Sequence, residues 1–181
     1  MSERILQGLQ ALVRDRDPKG TATGDGREFL AKFVSNGDAH QLLLRYIPQF
    51  SWTLIHSVAM PAVKARWFLE SKWVWFPEKS GCKKVSLPPL DEQYKLFASD
   101  EAYVREVFRE AKLVGQLMGH PPDEHVKENL KDGVLTAEWK VRFDPRTNDR
   151  DGVLLNRAGL LFQHGLELHW GVQMAQVAKP T

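Results

Sequence analysis

The chain has 181 residues and a net charge of +2, from 25 Lys and Arg against 23 Asp and Glu, so its total charge does not indicate a polyanionic partner. Its 43% hydrophobic and 27% charged residues are ordinary for a soluble globular domain. The single cysteine, Cys82, excludes an intramolecular disulfide and a cysteine-based zinc site. With no signal-peptide pattern and no apolar run near the roughly 20 residues of a membrane span, we expect a soluble, cytoplasmic protein without membrane contact.

The first predicted element is an N-terminal helix that Ser2 can cap and that Asp17-Pro18 ends. Apolar residues recur on one face of this helix: Ile5, Leu6, Leu9, Leu12 and Val13. A linker-like stretch, 19–26, separates it from the rest, which predicts an interaction element at 1–18 and one α+β domain at 25–181. Because an isolated helix of this length is marginal, it must pack on something. We predict self-association or a partner contact through this helix rather than a place in the central core.

Two short helices are predicted next, over about 28–34 and 38–47. Asp25 and Glu28 have capping-box spacing before the first, and Asn36-Gly37 ends it. Asp38 can cap the second, and Pro48 closes it. The period then changes to two, and the alternation of apolar and small or polar residues over 51–60 predicts a strand.

The stretch from Arg66 to Phe76 predicts a long strand with one aromatic face and one mixed face. Its aromatic face carries Trp67, Trp73 and Trp75, and we interpret that face as core because three tryptophans bury a large area. The mixed face, with Arg66, Phe68 and Lys72, is a candidate surface for a partner protein. The basic turn over 79–84, with Lys83 and Lys84, is the candidate for a nucleic-acid contact, which the separation of rings from charges disfavours.

The C-terminal half predicts further elements in the order strand, helix, strand, helix. A short strand over 92–99 precedes a helix from about 100 to 118, one or two helical turns near Val126 and Leu130 follow, and 134–143 alternates as the cleanest strand. The last segment predicts a helix from about Val153. Whether 165–176 is helix or strand stays open at this stage, because both periods fit and its glycines weaken a helix.

Histidine spacing argues against a metal site. His164 and His169 are five apart, as are His120 and His125, and five residues point two side chains apart on either a helix or a strand. We therefore expect no metal, no cofactor, and exposed or boundary histidines. The loop 147–152 shares polar positions with a calcium loop but lacks the bidentate Glu, so we interpret it as a polar turn.

Catalytic signatures are missing: no nucleophile elbow, phosphate-binding loop or dinucleotide fingerprint is present. His164 and Glu167, three residues apart, are the candidates for chemistry, together with the acids near His120 and His125. Enzyme activity stays open, but the sequence favours a non-catalytic interaction or accessory domain. The alternatives are a small-ligand binder or enzyme with a pocket built from dispersed residues, and a nucleic-acid binder.

The predicted fold is a two-layer α+β sandwich. A mainly antiparallel sheet of about four strands would carry helices on one face, with a tryptophan-rich core between them.

Overall fold

The computed structural model describes residues 2–47, 51–72, 81–121, 124–144 and 146–177. Four α-helices are present in this part of the chain: α1 (Ser2–Arg14), α2 (Glu101–Val107), α3 (Ala111–Met118) and α4 (Arg150–Val177), with a 3₁₀ turn at Leu90–Glu92. Nine strands form one sheet: β1 (Thr21–Gly24), β2 (Glu28–Ser35), β3 (Asp38–Ile47), β4 (Ser51–Ala59), β5 (Trp67–Ser71), β6 (Lys83–Val85), β7 (Tyr94–Ala98), β8 (His125–Lys131) and β9 (Val134–Arg142).

The sheet is antiparallel at every pairing and has the order β1-β2-β3-β4-β9-β8-β5-β7-β6. The prediction of an α+β fold with an antiparallel sheet is therefore confirmed. The number of strands was wrong, because the sheet has nine rather than about four. The missing strands are chiefly those that the sequence analysis assigned to helices or to a linker.

The two predicted helices over 28–34 and 38–47 are the strands β2 and β3. Phe29 and Phe33 are four apart, which fits a helix face, but Ala31 between them is also fully buried and gives the period of two that a half-buried strand requires. Asn36 and Gly37, taken as a helix stop, are instead a two-residue hairpin loop with φ of 52° and 86°. Positive φ at both residues is the geometry that Asn-Gly favours between paired strands.

Three further segments differ from the prediction. The helical turns expected near Val126 and Leu130 are strand β8, and part of the linker 19–26 is edge strand β1. The helix expected over 100–118 is divided into α2 and α3. The last segment, by contrast, is a single helix of 28 residues through Val177. Residues 165–176, for which the sequence did not decide between helix and strand, are therefore helical.

The strand predictions at β4, β7 and β9 are confirmed, and so is part of the tryptophan interpretation. Trp67 has no exposed surface and contacts Phe108 edge to face at 5.3 Å. Trp73 and Trp75 lie outside the described residues. The core is one cluster that joins alternate side chains of the strands with the inner faces of the helices.

Helix α1 packs into this core, whereas the sequence analysis expected it to lie outside the central core. Ile5, Leu9 and Val13 are completely buried. Gly8 lies so close to α4 that a Cβ there would be 2.6 Å from Leu155 Cδ2. The Gln10 side chain donates to Gly20 O at 2.6 Å and accepts from Ala22 N at 2.8 Å, which joins α1 to β1. A partner contact through the exposed side of α1 remains a prediction.

Within the described ranges, none of the helices combines the length and the apolar character needed to span a bilayer.

We expect α1 to be required for folding. Leu9→Ala removes a fully buried side chain and should lower the free energy of unfolding by about 2–5 kcal/mol. The control Gln7→Ala changes an exposed residue on the same helix and should alter it by less than about 0.5 kcal/mol. Urea unfolding measures both. A chain lacking residues 1–18 that still melts cooperatively would contradict a core role for α1.

Candidate functional site

Buried histidines are the most unusual feature of the core. The chain has six histidines, and five are at most 7% exposed. Four of the five lie between α4 and the sheet, where apolar side chains are the rule. We call them, with their polar partners, the histidine seam: His40, His56, His164, His169, Asp38, Gln116 and Glu128.

The first part of the seam is a contact between two imidazoles on neighbouring strands. His40 Nδ1 and His56 Nε2 are 3.1 Å apart, so one ring donates and the other accepts, which requires an uncharged acceptor nitrogen. Burial, followed by repulsion from His169, lowers the pKa of His40 to about 4. Burial, followed by repulsion from the other three seam histidines, lowers the pKa of His56 to about 3. Both rings are therefore neutral at pH 7.

The second part ties the C-terminal half of α4 to the start of β3. His169 Nε2 lies 2.9 Å from Asp38 Oδ2, and Gln173 Nε2 donates to the same oxygen at 3.0 Å. Burial lowers the pKa of His169, and the bond to Asp38 offsets part of that effect. The edge of His169 also contacts the His40 ring at 4.8 Å, so the two parts of the seam are continuous.

The third part is a buried histidine–carboxylate contact. His164 Nε2 bonds to Glu128 Oε1, and His164 Nδ1 lies 3.0 Å from Gln116 Oε1. His164 is thus held between the carboxylate of a strand and the side-chain amide of a second helix. Glu128 is completely buried, and its Oε2 has no hydrogen-bond partner in the described structure. Such a contact anchors α4 and α3 to β8 through one ring.

A second polar group borders the seam at Trp139. His120 Nδ1 lies 3.2 Å from Glu124 Oε2, and Arg157 donates to Glu124 Oε1 at 2.8 Å. The His120 ring meets Trp139 edge to face at 4.0 Å, and Trp139 is 5.5 Å from His164. His120, Trp139 and Arg157 line a cavity of about 180 Å³ between α3 and α4. His120 and Arg157 both engage Glu124, whereas Trp139 Nε1 has no hydrogen-bond partner in the described structure.

The seam is almost entirely closed to solvent. Its imidazoles and Glu128 are at most 1% exposed, and His40 also lines a cavity beside β2 and β3. Among the residues that the structure describes, no three His, Cys, Asp or Glu side chains converge to hold a metal ion. The arrangement positions α4 and responds to protons.

A cavity that is open to solvent lies at the other end of α4. It has a volume of about 360 Å³. We call it the wedge pocket, and its lining residues are Ile5, Gly26, Arg27, Tyr46, Trp52, Phe143, Arg150, Asp151 and Leu154. Ile5, Trp52 and Leu154 form a buried apolar floor, and the Tyr46 ring stands edge to face on Trp52 at 5.5 Å. The charged residues lie on α4 and on the turn before β2.

The predicted catalytic candidates are not brought together. His164 is in the seam, whereas Glu167 lies on the surface and pairs with Lys112. Of the acids near the His120–His125 pair, Glu124 contacts His120. The expectation of exposed or boundary histidines was wrong for His164, His169 and His120.

The residues predicted as binding candidates do not form one surface. Lys72 and Lys84 line one cavity with Lys95, on the face of the sheet away from the core residues. Phe68 is on that face but only 8% exposed. Arg66 precedes β5, and Lys83 belongs to the other set of alternate side chains on β6.

Sequence reasoning missed His40, His56 and Glu128 as parts of a site. A signal was present for His56, since it occupies a core position in the alternation of β4, between Leu54 and Val58. Glu128 had no such signal once β8 was taken as a helix. Neither pairing across strands nor the approach of α4 can be read from local spacing.

Comparisons with known proteins give no relative from which a function could be transferred. No protein-family model matches the chain, and neither the curated proteins nor the solved structures contain a match.

The contact of α4 with His56 predicts opposite effects for two glycines of the same helix. A Cβ at Gly165 would be 2.2 Å from His56 Nδ1, whereas at Gly159 it would meet nothing within 4 Å. Gly165→Ala should lower the free energy of unfolding by about 2–3 kcal/mol through overpacking. Gly159→Ala should raise it by up to about 1 kcal/mol through helix propensity. Chemical denaturation compares the two, and equal effects would contradict the close contact.

Stability should depend on pH through the seam. His40 and His56 bind protons more weakly in the folded state than at their ordinary pKa of 6.5, so the unfolded chain binds more protons below that pH. Their contribution is complete above about pH 6.5 and is lost as the pH falls towards about 4. Asp38 faces His169, and Glu128 and Gln116 face His164. Urea unfolding at a series of pH values measures the slope.

His40→Gln isolates this effect, because an amide can still bond to His56 but does not titrate in this range. We expect a shallower loss of stability between about pH 6.5 and about pH 4. His125→Gln is the control, since His125 lies outside the seam and contacts Glu70 at 3.2 Å. An unchanged slope in His40→Gln would contradict the assignment of the acid sensitivity to the His40–His56 pair.

Proposed function

We propose that the protein is a non-catalytic binding domain whose wedge pocket takes a small amphipathic monoanion with a planar apolar body. The observation that carries this proposal is the combination, in one open cavity of about 360 Å³, of an aromatic and aliphatic floor with arginines at its margin. Ligand pockets of proteins are typically concave, mostly apolar, and supplied with a few polar groups that orient the ligand.

The volume sets the size of the ligand. At about 30 Å³ per water molecule, the pocket holds the equivalent of roughly twelve waters, which is the size of a fused two-ring acid. The described walls include Trp52, Tyr46 and Phe143, which offer flat surfaces to such a ring system. A ligand of that size at ordinary ligand efficiency would have a dissociation constant of roughly ten micromolar to one millimolar.

The charges at the margin favour an anion. The charged residues that line the pocket are two arginines, Arg27 and Arg150, and one carboxylate, Asp151. The Arg27 side chain is exposed and forms no ion pair with a described residue, although Asp25 attracts it, so it can turn to a ligand without breaking an ion pair. A guanidinium binds a carboxylate through two parallel hydrogen bonds, which makes it more selective than an ammonium group.

The proposal is one of binding rather than catalysis because of where the proton-transfer groups lie. No histidine lines the wedge pocket, and the seam histidines are engaged with one another beneath α4. The proposal sharpens the expected accessory role. We also infer a two-layer arrangement, in which helices cover one face of the sheet, and a reducing, cytoplasmic location on the strength of the single cysteine.

Naphthalene-2-carboxylate is a suitable probe, and we expect it to shift the indole N–H resonance of Trp52 in ¹H–¹⁵N spectra. Trp52→Phe assigns that resonance by its loss. Calorimetric titration should give one site per chain, with an affinity about tenfold weaker in Arg27→Gln because a charge-assisted hydrogen bond is lost.

Arg16→Gln is the matched control, since it removes the same charge from an exposed position outside the pocket. The neutral naphthalene-2-carboxamide should bind more weakly than the acid. No shift of the Trp52 resonance with the acid at millimolar concentration, or equal losses in Arg27→Gln and Arg16→Gln, would overturn the proposal.

A further inference from the structure

Positive charge is concentrated on one face of the sheet. Each strand buries one set of alternate side chains in the core, and we call the face formed by the other set the outer face. Eight Lys and Arg side chains of the strands belong to it: Lys32, Arg45, Lys84, Lys95, Lys127, Lys131, Lys140 and Arg142. Lys72, directly after β5, is the ninth, because it lines one cavity with Lys84 and Lys95. The carboxylates of the outer face are Glu28, Glu70 and Glu138. The chain has 25 basic and 23 acidic residues, so sixteen basic and twenty acidic residues lie elsewhere.

Two of the three carboxylates of the outer face are already engaged. Glu28 accepts from Arg45 Nε at 2.7 Å, and Glu70 lies 3.2 Å from His125 Nε2. Six of the nine cations form no ion pair with a described residue: Lys32, Lys72, Lys84, Lys127, Lys140 and Arg142. The face therefore presents several cations that form no ion pair, although Glu138 lies opposite Lys127 and Asp91 attracts Lys72 and Lys84.

The register brings three of the six cations together in the middle of the sheet. Glu138 lies opposite Lys127 on the neighbouring strand, and Lys140 and Arg142 follow Glu138 at alternate positions of β9. Alternate residues on a strand are about 6.7 Å apart and neighbouring strands about 4.8 Å apart. Three cations thus lie within roughly 15 Å of one another, with Lys140 and Arg142 exposed and Lys127 half-buried.

We propose that the outer face binds the sugar-phosphate backbone of nucleic acid without sequence preference. Phosphate oxygens accept from Lys and Arg, and also from hydroxyl and amide side chains such as Ser57, Thr136 and Asn129, which share one row across the face. Base stacking requires accessible aromatic rings, but Phe68 and Phe97 on this face are at most 9% exposed. Recognition by charge alone is therefore the mode that the face supports.

An anionic membrane is the less favoured occupant. Proteins that lie in a membrane interface insert large apolar or aromatic side chains beside their cations. On the described part of the outer face, the exposed large apolar side chains are Val34 and Val134, each on its own. The proposal is independent of the wedge pocket, because none of the nine cations lines that cavity.

Fluorescence anisotropy with a labelled duplex of about 20 base pairs tests the proposal. We expect a dissociation constant of roughly 1–100 μM near physiological salt, with affinity falling roughly a hundredfold between about 50 and about 200 mM salt. Duplexes of different sequence should bind equally. No binding at about 50 mM salt would overturn the proposal, as would binding that does not weaken with salt.

Two triple variants with the same loss of charge separate the outer face from total charge. Lys127→Gln/Lys140→Gln/Arg142→Gln should weaken binding at least tenfold and flatten the salt dependence. Arg14→Gln/Arg16→Gln/Lys19→Gln changes exposed residues at the end of α1 and after it, and should weaken binding less than threefold. Equal losses would overturn the assignment to the outer face. Tight binding of phosphatidylserine vesicles together with no binding of the duplex would overturn the proposal and identify an anionic membrane as the ligand of the outer face.

Discussion

The packing of one long helix over uncharged histidines is the constraint on which the rest of the structure depends. Helix α4 contacts β3, β4 and β9 at the centre of the sheet and also α1 and α2. It lies close enough to β4 that only a glycine fits at 165, above the His56 ring. A charged His56 at that contact would be desolvated without a counter-ion, whereas the neutral ring bonds to His40.

The position of α4 explains the two open features of the molecule. Its first turn forms one wall of the wedge pocket, and the pocket floor is completed by α1 and by the ends of β3 and β4. Because α1 packs on α4 through Gly8 and Leu155, a shift of either helix would change the shape of that floor. The buried side of the sheet is thereby occupied, which leaves the outer face as the surface where cations can accumulate at little desolvation cost.

The sequence allowed prediction of elements whose period is unambiguous. β9 alternates strictly, and its buried residues Leu135, Ala137, Trp139 and Val141 follow directly from that alternation. The prediction for β2 was wrong because Phe29 and Phe33 fit the spacing of a helix as well as that of a strand. Asn36-Gly37 did not decide between them, since this dipeptide occurs both at helix ends and in hairpin loops. The candidate site could be predicted only in fragments. His164 was singled out, but its partners Glu128 and Gln116 come from other elements 36 and 48 residues away.

The protonation state of His40 and His56 in the folded protein tests the central claim most directly. Long-range ¹H–¹⁵N spectra of the imidazole rings distinguish neutral tautomers from imidazolium. At about pH 5.5, where an unperturbed histidine is mostly charged, we predict that both rings are neutral and in slow exchange with solvent. Two charged rings at that pH in a folded protein would contradict the account, because α4 could not then pack over them as the structure shows.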